Sequence, residues 1–141
     1  MEFIDIDREN WEAVVSLSEP EDKYIYPNLY SIAEAQFYEK AMSKAISVDG
    51  VLVGYAMYGE NEDDSHVFWI DRFMIGKRYR RNGYGGAALL KLLEMGASMG
   101  YERIETSTES ENEPMRQLLS KCGFRTNNEI RYDEVVYYYP Y

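Results

Sequence analysis

The chain is poor in the residues that most often announce a specialised chemistry. Of its 141 residues one is cysteine, Cys122, and one is histidine, His66. A single cysteine excludes an internal disulfide and any cysteine cluster for zinc, so no metal is expected. Proline is scarce, with four copies. No apolar run is long enough to span a bilayer, so no membrane association is expected. The start, Met1 to Asp7, alternates apolar and acidic residues and is unlike a signal peptide, which makes a reducing cytoplasm the expected compartment. Positive charge is also short: 15 Lys and Arg stand against 25 Asp and Glu, a formal net charge of −10. Nucleic-acid binders are normally basic, so that class is excluded, whereas attraction of cations is favoured.

Tyrosine is abundant, with 14 copies, and 45% of residues are hydrophobic, a content normal for a globular fold. The length suits one domain over residues 1–141. Phe3 to Asp7 reads as a strand, and Trp11, Val14, Val15 and Ser18 predict a helix over 8–18. Ser31-Ile32-Ala33-Glu34 has the capping-box pattern and predicts a second helix running to Met42. Ala45 to Val48 and Val51 to Tyr58 read as strands joined by an Asp49-Gly50 hairpin turn. Val67 to Ile75 is a long strand. Leu89, Leu92, Leu93, Gly96 and Met99 mark one face of a helix from Ala87 to Met99. Arg103 to Thr108 is another strand. Asn112 caps a last helix, with Pro114 in its first turn and Met115, Leu118, Leu119 and Cys122 on its apolar face. Strand material, including Val135 to Tyr139, closes the chain. The order β-α-α-β-β-β-α-β-α-β predicts an α/β fold with a mixed central sheet flanked by helices.

The most informative stretch is Arg80-Arg81-Asn82-Gly83-Tyr84-Gly85-Gly86, between a strand and a helix. Helix-start N–H groups lack intrahelical partners, and the helix dipole adds positive charge there. Glycines let a diphosphate approach the backbone, and arginines add charge-assisted hydrogen bonds. Three cofactors compete. Gly83-Tyr84-Gly85-Gly86-Ala87-Ala88 fits the dinucleotide fingerprint, with Glu105 about 20 residues on as a ribose-binding acid. That motif normally opens a βαβ unit, whereas here it follows a hairpin in mid-chain. A nucleoside-triphosphate loop would end in Gly-Lys-Ser/Thr, which is missing. The third reading rests on Arg80-x-x-Gly83-x-Gly85 after a long strand.

That pattern resembles the acetyl-CoA signature of the GNAT (Gcn5-related) N-acetyltransferases. Asp71-Arg72-Phe73-Met74-Ile75 resembles that family's fourth strand, and Asn112-x-x-Met115 followed by Gly123-Phe124 resembles its second signature. Glu9-Asn10-Trp11, Pro27-Asn28-x-x-Ser31-Ile32-Ala33-Glu34-Ala35 and Val53-Gly54-Tyr55-Ala56-Met57-Tyr58 are most similar to bacterial spermine/spermidine acetyltransferases. The resemblance implies the GNAT fold and transfer of an acetyl group from acetyl-CoA to a primary amine by direct attack. It assigns the pyrophosphate to the backbone of Arg81, Asn82, Gly83, Tyr84, Gly85 and Gly86, with the Arg80 and Arg81 side chains assisting. It has the fourth strand splay from the fifth, so that Phe73, Met74 and Ile75 line the pantetheine arm. A main-chain N–H near Met74 would polarise the thioester carbonyl, and Asn112 would contact the cofactor arm. It also implies a homodimer, in which the tyrosine-rich C-terminal strand could pair across the interface.

An alkyl ammonium, with a pKa of roughly 10, must lose a proton before it attacks. Asp71 is the expected general base, at a position where polyamine acetyltransferases often carry an acid. Its alternative is an ion pair, though not with Arg72, which strand alternation sends to the other face. Many family members carry a thiolate-protonating tyrosine seven residues after the asparagine. Here that residue is Leu119, on the apolar face. Ser120, Cys122 and Tyr137 to Tyr139 are the remaining proton donors to consider. A polycationic amine needs several carboxylates: Glu19, Glu21, Asp22, Glu34, Glu60, Glu62, Asp63 and Asp64 are available, although the 60–65 run reads equally as a solvated turn. Tyr24, Tyr26 and Tyr30 are candidates for contact with methylene or ammonium groups. Three functions follow: a polyamine N-acetyltransferase, an N-acetyltransferase for another amine, or a CoA-binding module with little catalysis.

Overall fold

The computed structural model describes residues 1–141. Its centre is a seven-stranded sheet in the order β1-β2-β3-β4-β5-β7-β6. The strands are β1 (Glu2–Asp5), β2 (Ala41–Val48), β3 (Val51–Glu60), β4 (Val67–Ile75), β5 (Arg103–Thr108), β6 (Ile130–Arg131) and β7 (Glu134–Pro140). The helices are α1 (Trp11–Val15), α2 (Asn28–Ala35), α3 (Tyr84–Ser98) and α4 (Glu113–Lys121). All neighbouring strands are antiparallel except β4 and β5, whose crossover is α3. The expected order holds, with β6 added as a short hairpin partner of β7.

Most local signals act as read. Asp49 and Gly50 both have positive φ, the type I′ geometry that matches strand twist. Asn112 caps α4 by accepting the Met115 N–H. The first two helices differ from expectation. Asp7 Oδ1 accepts the N–H groups of Glu9 and Asn10, while Asn10 Oδ1 accepts that of Asp7. These turn bonds hold residues 7–10 out of the helix, which starts only at Trp11. α2 starts at Asn28 after Pro27, so Ser31 lies inside the helix rather than capping it. Glu34 turns to Arg72 at 3.2 Å instead of back to a cap. The helix ends at Ala35, and Ala41 and Met42 belong to β2, paired with Gly59 and Tyr58. Met99 is exposed at the end of α3 rather than packed with its leucines.

The two faces of the sheet are unequal. One face packs α3 and α4 around Ile46, Tyr58, Phe68, Ile70, Leu89, Leu92, Ile104 and Leu119. The other carries only Val14, Ala35, Ala45, Tyr55, Met57 and Met74 under the short α1 and α2. The thin cover on that side leaves room for a cleft. The C-terminal strand is enclosed: β5 lies on one side, and β6 with the main-chain pair Arg125–Tyr138 lies on the other. Its edge is therefore taken, and the expected pairing of Tyr137 to Tyr139 with a second copy has no free backbone to use.

Leu92 is fully buried against this larger core. Leu92→Ala is expected to cost about 2–5 kcal/mol, read as a lower urea midpoint with an unchanged slope.

Candidate active site

Two irregularities in β4 create the site. Against β3, Met57 pairs with Arg72 and Tyr58 with Ile70, leaving Asp71 without an opposite residue. This β-bulge bends the strand. Against β5, pairing runs only from Val67–Arg103 to Ile70–Thr106. β5 continues to Thr108 along β7, while β4 continues to Ile75 along β3. The strands thus part immediately before Asp71. Thr106 Oγ1 marks the fork by donating to the Ile70 carbonyl at 3.0 Å.

The fork opens a cleft of about 800 Å³ that reaches from the turn before α3, past β4 and the end of β5, to Tyr132 and Glu134. Its cofactor-like end is the glycine turn. Arg81 and Gly83 both have positive φ, and Gly83 sits in the left-handed region at the start of α3. No side chain caps that helix and no acid lies in its first turn. The N–H groups of Tyr84, Gly85 and Gly86 are therefore unsatisfied donors in the cleft wall. Lys77, Arg78, Arg80 and Arg81 add four cations within five residues of an acidic chain.

Three expected ligands have different duties here. Arg80 donates from Nε to the Ile75 carbonyl at 2.9 Å and pairs through Nη2 with Asp22 at 3.1 Å. It ties the 19–25 loop to the end of β4, whereas Arg81 lines the cleft and forms no ion pair. Asn82 donates to the carbonyls of Tyr79 and Arg80 and shapes the turn without lining the cleft. The Gly76 N–H donates to Val53 of β3 at 2.8 Å. Since N–H groups alternate along a strand, the Met74 N–H also turns toward β3, and those of Phe73 and Ile75 face the gap. Met74 lines the wall, and the main-chain N–H groups near it that face the gap are those of Phe73 and Ile75.

At the other end, Asp71 opens into the cleft and forms no ion pair. The cleft walls strip water from its carboxyl and push it up to about 6, with Arg72 and hydrogen bonding from Trp69 offsetting part of the effect. The bulge voids the strand alternation used to separate Asp71 from Arg72. They nevertheless form no side-chain pair, because Arg72 Nη1 bonds the Asp71 carbonyl and Nη2 bonds Glu34. Arg72 also lies over the Tyr26 ring at 4.3 Å.

Of the eight acids considered for a cation, only Asp22 lines the cleft, and Arg80 neutralises it. The 60–65 segment is a turn held by Asn61 Oδ1, with Glu60 paired to Lys40. His66 sits at the far end of β4, exposed beside Glu102. Tyr24 and Tyr26 reach the cleft, but Tyr30 does not. Three further acids face it: Asp71, Glu109 and Glu134. Glu134 accepts from Ser107 Oγ at 2.8 Å, and burial with Glu109 nearby raises its pKa. Sequence reasoning missed Glu109 and Glu134 because only the β5–β7 register brings them together. The proton donors considered fare worse. Leu119 is fully buried in the core, and none of Ser120, Cys122 or Tyr137 to Tyr139 lines the cleft. Glu105 is buried between Arg103 and Arg131, at 2.6 and 3.2 Å, so no ribose-binding acid faces the turn.

A family model described as the acetyltransferase (GNAT) family matches residues 3–124. The chain belongs to that family. A spermine/spermidine N(1)-acetyltransferase of Bacillus subtilis is 32% identical over 91 residues, which span 60% of this chain and 60% of that relative. An acetyltransferase of Bacillus subtilis solved in complex with CoA superposes with a TM-score of 0.72 at 15% identity, over 99% of this GNAT chain and 97% of the other. A ribosomal-protein-alanine N-acetyltransferase of Brucella melitensis gives 0.77 at 15% identity, over the whole of both chains.

The raised carboxyl of Asp71 has a consequence for stability. An acid whose folded pKa exceeds its unfolded value destabilises the fold wherever it is ionised, so the penalty grows as pH rises from about 4 to about 6. Asp71→Asn is expected to raise the melting temperature at pH 7.5, with the gain shrinking below pH 4. A melting series against pH checks this.

Proposed function

We propose that the protein is an acetyl-CoA-dependent N-acetyltransferase for a primary amine, with a polyamine of the spermidine or spermine type as acceptor. The observation that carries the reading is Asp71, an unpaired carboxylate at the point where β4 leaves β5. The residues present fit the cosubstrate. The uncapped start of α3 and Arg81 suit a pyrophosphate, and the unpaired edges of β4 and β5 suit an extended arm with amide groups. Bound acetyl-CoA supplies an activated thioester.

The chain's own groups then have defined tasks. Asp71 takes the proton from the acceptor ammonium, directly or through water, and frees the attacking lone pair. The gap-facing N–H groups of Phe73 and Ile75 are placed to stabilise oxyanion charge. No tyrosine from α4 assists departure, since Leu119 belongs to the core. A thiol's pKa of about 8.5 makes its anion a tolerable leaving group without one.

A polycation is favoured by charge. Asp71, Glu109 and Glu134 face the cleft without any cation within ion-pair reach, and Arg72 is already neutralised by Glu34. Carboxylates gathered in one cleft repel one another, and an ammonium group relieves that repulsion. The named function of the Bacillus subtilis relative points the same way.

CoA release from acetyl-CoA is expected with spermidine or spermine and to be weaker with monoamines. Asp71→Asn should lower kcat by about 10²- to 10⁴-fold. The wild-type rate should rise through a pH near 6 as Asp71 ionises. Turnover only with other amines would replace the polyamine assignment. Acetyl-CoA binding without turnover across an amine panel would leave a CoA-binding module.

A further inference from the structure

Three consecutive hydroxyl side chains, Thr106, Ser107 and Thr108, line the cleft at the end of β5. Hydrogen-bond bookkeeping separates them. Thr106 Oγ1 meets the Ile70 carbonyl, which can only accept, so its proton is committed. Ser107 Oγ meets the Glu134 carboxylate, and its proton is committed as well. Thr108 is the reverse. Its only side-chain partner is Asn112 Nδ2 at 3.1 Å, and an amide nitrogen can only donate. Helix capping fixes which way the Asn112 amide faces. The Met115 N–H can only donate, so it must meet Oδ1, and the NH₂ group is then left toward Thr108. Thr108 Oγ1 accepts, and its own proton has no acceptor in the protein.

Thr108 is 4% exposed, so bulk water is not at hand to satisfy that proton. A buried donor without a partner is costly, and a rotatable hydroxyl beside a cleft finds its acceptor in whatever fills it. We propose that the Thr108 hydroxyl donates a hydrogen bond to an amide carbonyl of the cofactor's pantetheine arm, with Asn112 as the residue that positions it. The site rests on the acetyl-CoA reading above and takes an amide carbonyl oxygen, a pure acceptor. Asn112, expected to reach the arm itself, has its carbonyl committed to the helix and one amide proton to Thr108. Its second amide proton is free, so the last residue of the strand adds a contact beside that of the helix. Thr106 and Ser107 cannot substitute without abandoning the fork or Glu134.

The test is calorimetric titration of the full chain with CoA and, separately, with adenosine 3′,5′-bisphosphate, which lacks the arm. Thr108→Val keeps the β-branched shape and is expected to weaken CoA about five- to tenfold while leaving the bisphosphate affinity unchanged; losing the bond from Asn112 lowers the melting temperature slightly. Thr108→Ser should retain near wild-type affinity for both. Wild-type affinity of Thr108→Val for CoA would overturn the assignment, as would equal losses for both ligands, which would mean a distorted site. Failure of the wild-type protein to bind CoA at all would instead overturn the cofactor reading on which the assignment rests.

Discussion

Two neighbouring parallel strands cannot separate without leaving main-chain donors and acceptors unpaired. Everything functional in this protein depends on that separation between β4 and β5. It is stabilised on both sides of the gap. β4 follows β3 through a bulge at Asp71, so that its outer edge is released, and β5 follows β7 to Thr108. Thr106 closes the last joined pair by binding the Ile70 carbonyl. The opening is therefore a consequence of two competing registers, each satisfied on its own far side. What remains unsatisfied in the gap is a row of peptide groups, complementary to an extended chain that carries amides.

The charge distribution follows the same axis. A chain with net charge −10 gathers Lys77, Arg78, Arg80 and Arg81 at one end of the cleft, next to the positive end of α3. Asp71, Glu109 and Glu134 lie toward the other end. The cavity thus presents positive charge at one end and negative charge at the other. Arg80 is the hinge of this arrangement. By holding Ile75 and Asp22 together, it fixes the loop that forms part of the wall and consumes the one basic charge closest to the end of β4.

The parts of this architecture that rest on local chemistry were legible in the sequence. Val67–Ile75 and Arg103–Thr108 are strands with the bounds their composition gives, Asp49-Gly50 turns as expected, and Asn112 caps α4. The glycine turn was read from its glycines and arginines between a strand and a helix, and Asp71 from the resemblance of its strand to the family's fourth. Most of what could not be read depends on tertiary pairing, the Asp7–Asn10 turn being the local exception. The Asp7–Asn10 bonds shorten α1, and Arg72 draws Glu34 away from a capping role. Strand alternation failed at Asp71 because a bulge is invisible without its partner strand. Glu109 and Glu134 lie 25 residues apart in number, and only the register of β5 with β7 makes them neighbours.

The absence of a tyrosine at Leu119 and the raised pKa of Asp71 are best understood together. Acyl transfer to an amine needs a proton removed from the nucleophile and tolerates a free thiolate as leaving group. Base strength is then the more valuable resource. An Asp at its ordinary value is a weak base. The same group at about 6 is a stronger one, yet it remains ionised at neutral pH. That shift comes from partial desolvation of the carboxyl by the cleft walls, with no cation in ion-pair contact to reverse it. The cost is a fold destabilised wherever that carboxylate is ionised. α4 is left free to use Leu119 for the core, where it is fully buried and packs with the leucines of α3. Stability lost at the site is thus recovered at the position where a proton donor would otherwise stand.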